Sequence, residues 1–171
     1  RLFTQVVSAA QEDGRHLMFT ESFGAVPAGE IFLERVGAER GLERHIHQLT
    51  LAKIDRDLLQ KWGSPVAGFE LGFWSGPYPE SELGAAVLLT DLTNQQPMGS
   101  LDVEDFHYTP EILRQVEQRL FGRGRNRWTY FVREKATGRY SVYTELVWMP
   151  DRVRVLDHGM TGVFPEFRCQ G

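Results

Sequence analysis

The run from Trp128 to Val163 constrains this chain most. Trp128 to Lys135 and Arg139 to Trp148 are two strand patterns joined by Ala136-Thr137-Gly138. A short glycine-containing loop between two such runs predicts a β-hairpin. Pro150 and Asp151 turn the chain again, into a third β-like segment from Val153 to Val163. That segment stops at Pro165 and passes into a basic, glycine-ended loop, Glu166-Phe167-Arg168-Cys169-Gln170-Gly171. A loop of this kind leaves backbone N–H groups unpaired and can cradle an anion, most easily where a helix follows.

The segments before this run predict an alternation of helices and strands. Residues 2–13 place Leu2, Phe3, Val6, Val7 and Ala10 at helical spacing, with Gly14 as a stop. His16 to Thr20 is a short, mostly apolar run bounded by turn formers, and it predicts a buried strand. Pro27 suits a first helical position, and Ala28 to Val36 predict a short helix ended by Gly37. Leu42 to Ala52 alternates and predicts another strand. Residues 53–65 form a small amphipathic helix on Ile54, Leu58, Leu59 and Trp62, and they make the best boundary. Phe69 to Trp74 alternates as a strand. After Gly76-Pro77, a helix opens near Leu83 and runs towards Asn94. A loop over 95–108 carries Asp102, Glu104 and Asp105. Thr109-Pro110-Glu111 reads as a helix cap with proline at the first position, and the helix continues to Gly122. Arg123 to Arg127 is a basic turn, expected at the surface.

Composition narrows the classes of function. At 171 residues and 42% hydrophobic, the chain has apolar mass for one domain or two small pieces. A net charge of -4 argues against a general nucleic-acid partner. No apolar run approaches transmembrane length, so no membrane partner is expected. One cysteine fits a reducing compartment and a cytoplasmic location.

The words Thr-Gly-Val, then Pro-Glu-Phe-Arg, then Gln-Gly resemble the acyl-CoA signature of the GNAT acetyltransferase superfamily. There a strand ending in Val precedes Arg-x-x-Gly-x-Gly, or Ala at the last place. Arg168 and Gly171 match the first two fixed positions, and Cys169 stands where the family often has glycine. The order of elements from residue 66 resembles the first half of a GNAT domain up to its pyrophosphate loop. The order from residue 2 is similar to the second half, beginning after that loop. The resemblance thus implies an α+β, GNAT-like mixed sheet flanked by helices in permuted or split order. Residues 1–61 would be a second-half segment and 62–171 a first-half segment, as between the two cofactor loops of a tandem GNAT protein. A homodimer or the missing tandem halves would complete it. In the alternative arrangement both segments share one sheet, with 153–163 parallel to 16–20 and helix 2–13 completing the phosphate cradle.

The same resemblance implies acetyl-CoA as acyl donor and a small-molecule or peptide amine as acceptor. Thr161, Gly162, Val163 and Phe164 would meet the pantetheine arm. Arg168, Cys169, Gln170 and Gly171 would hold the pyrophosphate. Leu33 stands where the family often carries the tyrosine that protonates the leaving thiolate, which with Cys169 favours the second reading, a non-catalytic acyl-CoA-binding or structural half of a tandem GNAT protein. Transfer to an amine needs a base. Glu145, between apolar neighbours in a strand, and Asp157 and His158, on the strand before Thr161, are the candidates; such residues are more often solvated or ion-paired strand residues. Tyr140 and Tyr143 offer acids, although strand tyrosines more often pack. His45 and His47 share a strand face but lack a third metal ligand at suitable spacing. Cys169 reads as a loop residue, because acyl transfer in this superfamily passes directly to the amine.

Overall fold

The computed structural model describes residues 1–169. It divides into two compact units, Arg1–Glu43 and Arg44–Gly171. The first holds α1 (Leu2–Glu12) and α2 (Pro27–Arg35). Proline at the first turn of α2 needs no backbone donor, as its position predicts. Phe3 and Phe32 meet edge to face, with ring centroids 5.4 Å apart.

The second unit holds α3 (Arg56–Trp62), β1 (Phe69–Ser75), α4 (Leu83–Asp91), α5 (Pro110–Gly122), β2 (Asn126–Glu134), β3 (Tyr140–Trp148) and β4 (Asp157–Val163). The class is α+β: a four-stranded antiparallel sheet in the order β1-β2-β3-β4, with helices. The hairpin expected around Ala136-Thr137-Gly138 is β2–β3. Asp55 caps α3 and Thr109 caps α5 through side-chain oxygens that accept from Leu58 N and Ile112 N.

One face of the sheet packs on α4 and α5. Leu89, Leu92, Phe131 and Tyr143 form one buried cluster; Tyr78, Leu83, Ala86 and Leu113 form another. Gly72 has no side chain because the Phe131 ring lies across it; an added Cβ would come within 2.1 Å of that ring. The other face presents Phe73, Tyr130, Trp128 and Trp148 in ring contact. Leu71 and Phe73 on it are 72% and 47% exposed.

Two expected strands do not form. Residues 16–20 are extended without a ladder, and Leu17, Met18 and Phe19 are exposed. Residues 42–52 likewise form no strand, only a short 3-10 turn at Leu51–Lys53, with Ile46, Leu49 and Leu51 exposed. Alternation fits a segment to a sheet, but backbone pairing with a neighbour makes the strand. A third correction concerns Arg127. It is not a surface residue of a basic turn but the second residue of β2, 4% exposed. The carboxylate of Glu117, from the inner face of α5, draws it in.

Candidate functional site

The sheet brings the end of β4 against the end of α4, and the contact is close because residue 162 is glycine. A Cβ there would lie 2.9 Å from both Leu92 Cδ1 and Tyr143 Cε1. Leu92 begins a 3-10 turn, Leu92–Gln95, that walls one side of a cavity. The cavity, about 270 Å³, is lined by Leu92, Gln95, Gln96 and Pro97 on one side and by Thr161, Gly162, Val163 and Arg168 on the other. Four residues expected to meet a cofactor are thus brought together. Phe164 is not among them; it packs on the Leu89–Tyr143 cluster and lines a separate cavity with Ala85, Leu88 and Tyr140. Gln170 and Gly171 lie outside the described residues.

β4 is an edge strand. The Phe164 N–H donates to Ser141 O at 3.0 Å, so by antiparallel alternation the N–H and C=O of residues 162 and 164 face β3. Those of Thr161 and Val163 face the open edge, towards the cavity. Arg168 reaches back to this edge: Nε donates to Val163 O at 3.1 Å and Nη2 donates to Gln95 Oε1 at 2.7 Å. The turn before it, Pro165–Phe167, is anchored to the hairpin. Phe167 meets Phe69 edge to face and lies under the Arg139 guanidinium, which also pairs with Glu166. Cys169 is exposed and left-handed at φ 60°, the one non-glycine residue with positive φ among those described. Such a conformation costs a side-chain-bearing residue about 1–3 kcal/mol.

The three candidate bases have separate surroundings. Glu145 lies on the helix-covered face inside a polar network. Tyr78 Oη donates to its Oε1 at 2.5 Å, and Arg127 Nη1 stands 3.5 Å from the same oxygen. Arg127 in turn pairs with Glu117 at 2.5 Å and covers the Tyr78 ring, 3.7 Å from its centroid. Glu117 also accepts from Tyr78 N and from Arg114. Arg127 Nε is buried without a partner among the described residues. Burial, then the Glu145 charge, pushes the Tyr78 hydroxyl far above the usual phenol range. Burial and Glu145 do the same to Tyr143. Tyr140 is raised by burial and by its hydrogen bond to Glu82. These phenols stay protonated, and those of Tyr78 and Tyr140 are already committed as donors.

Asp157 is exposed, 3.8 Å from Arg152. His158 is exposed on the open face. Its Nε2 lies 2.8 Å from Thr144 Oγ1 and 3.0 Å from Thr161 Oγ1, and the two hydroxyls are 2.7 Å apart. A bulge creates this triangle: Thr144 pairs with Thr161 and Leu146 with His158, so Gly159 and Met160 together oppose Glu145. Gly159 is tight there, since a Cβ would lie 3.3 Å from Glu145 Cβ.

Tyr78, Glu117, Thr144 and Gln95 carry these arrangements and were not among the sequence candidates. For Thr144 the signal was present in the β3–β4 pairing, but the bulge decides the register. The acidic loop is pinned at its base: the Asn94 side chain bonds both backbone groups of Phe106, and Asp91 accepts from Tyr108 N. His45 and His47 have ring centroids 6.5 Å apart, and among the described residues no three His, Cys, Asp or Glu side chains gather to hold a metal. No helix of the described residues is long and apolar enough to cross a membrane.

No protein-family model and no curated protein sequence matches this chain. A solved structure of a tandem GNAT protein from the clavulanic acid biosynthesis pathway, without AcCoA, is similar at 23% identity and a TM-score of 0.48. The match covers 62% of this chain and 29% of that one.

Proposed function

We propose that this chain binds acetyl-CoA along the open edge of β4 and takes part in acetyl transfer to an amine. The cavity at the end of β4 carries the proposal. It joins the outward backbone groups of Thr161 and Val163 to the cation of Arg168. An amide-containing arm can pair with such an edge as a short added strand would. The guanidinium supplies charge for a phosphate.

Bound acetyl-CoA supplies an activated thioester. His158 is the group we assign to accept the amine proton, because its Nε2 is exposed and held by two hydroxyls beside Thr161. A neutral imidazole has one ring nitrogen with a free lone pair, which can take up a proton. Glu145 is assigned to structure, since Tyr78 and Arg127 occupy its Oε1. Asp157 has no partner that orients it towards the cavity; its near neighbour is Arg152. The acceptor is an amine, and the loop with Asp102, Glu104 and Asp105 would favour a cationic one.

A second reading, a non-catalytic acyl-CoA-binding half, rests on the exposed side chains of Leu71 and Phe73, on the sheet face opposite α4 and α5. Both readings require cofactor binding. Acetyl-CoA at 100 times its dissociation constant should stabilise the chain by about 2.7 kcal/mol and raise Tm accordingly. Arg168→Glu should remove that gain with little change in Tm of the free protein, because the side chain is exposed. A melting curve indifferent to millimolar acetyl-CoA counts against both readings. Binding without turnover on any amine supports the second.

A further inference from the structure

We infer that Gln95 is the positioning residue for Arg168, and that the pair makes this site select a phosphate-bearing acyl donor over the bare pantetheine thioester. This deepens the proposed function and rests on it. Arg168 has five N–H donors in a fixed fork. One, on Nε, goes to Val163 O at 3.1 Å, and one, on Nη2, goes to Gln95 Oε1 at 2.7 Å. The other three have no partner among the described residues and can face an anion. An exposed arginine ordinarily samples many rotamers, and fixing them on binding costs affinity. Here two bonds, one to β4 and one to the turn after α4, fix the fork before any ligand arrives.

The position of Gln95 makes this arrangement specific. It sits on the wall opposite β4, in the turn that Gly162 allows to approach. Its side chain therefore spans the mouth of the cavity and meets Arg168 from the far side, 73 residues away in sequence. The bond leaves the charge of Arg168 uncompensated, because an amide carries none. A carboxylate in the same place would neutralise the cation and repel phosphate. An amide thus orients the guanidinium without cancelling it. The backbone groups of Thr161 and Val163 would serve the pantetheine arm whether or not phosphate is present. Only the phosphate should depend on the Gln95–Arg168 pair.

The test is a set of dissociation constants for CoA and for pantetheine, by titration calorimetry or NMR, on wild type, Gln95→Ala, Gln95→Glu, Arg168→Ala and the Gln95→Ala/Arg168→Ala double variant. Gln95→Ala should weaken CoA binding by about 3- to 10-fold, the size of one lost hydrogen bond, with pantetheine affinity unchanged. Gln95→Glu should weaken CoA at least as much, again with pantetheine unchanged. The double variant should match Arg168→Ala, since Gln95 acts only through Arg168. Wild-type CoA affinity in Gln95→Ala would overturn the inference while leaving the proposed function standing. Equal weakening towards both ligands would also overturn it, by showing that Gln95 merely shapes the wall. Wild type that fails to bind CoA at all would overturn both.

Discussion

Thr144 and Glu145 are adjacent in β3, yet they face opposite sides of the sheet and live under different rules. Glu145 points under the helices, where Arg127, Glu117 and Tyr78 hold a nearly dry network around it. Thr144 points to the uncovered face, where it meets His158 and Thr161 among exposed side chains. In the first setting every polar group is fixed by a partner, and loss of one leaves a charge stranded in low dielectric. In the second, solvent can replace any partner, so the groups are free to exchange protons and little stability depends on them. A carboxylate in the middle of a strand near a reaction site is therefore a weak candidate base when an arginine has already been drawn to it.

If that contrast is right, the largest effect on stability comes from breaking the covered network. Glu117→Ala leaves Arg127 buried with Glu145 as its remaining acidic partner, 3.5 Å away. The expected loss is about 3–5 kcal/mol, read by urea or thermal unfolding. A loss below about 1 kcal/mol would mean that water enters and replaces the carboxylate. On the open face the order reverses. His158→Ala should leave stability within about 0.5 kcal/mol of wild type. It should lower acetyl transfer at least about 100-fold, the lower end for a lost general base. Destabilisation with normal turnover would invert the comparison.

The smallest effect is one of pH. The Tyr78 hydroxyl is held protonated in the fold, chiefly by burial and then by Glu145. In the unfolded chain a tyrosine titrates near 10. The native state therefore keeps a proton that the unfolded state releases. The stability linked to this proton is fully present below about pH 10 and is lost as pH rises above it, by about 1.4 kcal/mol per pH unit for one group. Tyr78→Phe should flatten part of that alkaline decline. An unchanged slope would place the alkaline sensitivity on Tyr143 or Tyr140 instead.

Local chemistry was legible in the sequence where it acts locally. The Ala136-Thr137-Gly138 turn gave the hairpin, and Thr109-Pro110 gave the start of α5, because each turn or cap is complete within a few residues. The end of β4 at Val163, just before Pro165, was legible for the same reason. Partners far apart in sequence were not. Arg127 reads as one more cation in a basic run until Glu117 is placed over it. Residues 16–20 and 42–52 have the composition of strands, but nothing in their own residues says whether a neighbour will pair with them. Gln95 and Arg168 meet because Gly162 lets a turn approach a strand, and no spacing announces that.

The central claim is that acetyl-CoA lies along the outward edge of β4. An NMR titration of the isotope-labelled chain with acetyl-CoA tests it most directly, because alternate residues of β4 turn their N–H groups opposite ways. The account predicts saturable shifts at the amides of Thr161 and Val163, with the Arg168 side-chain Nε signal moving in parallel, and smaller shifts at Gly162, whose N–H faces β3. Shifts confined to other elements, or a spectrum unchanged at millimolar acetyl-CoA, would contradict it.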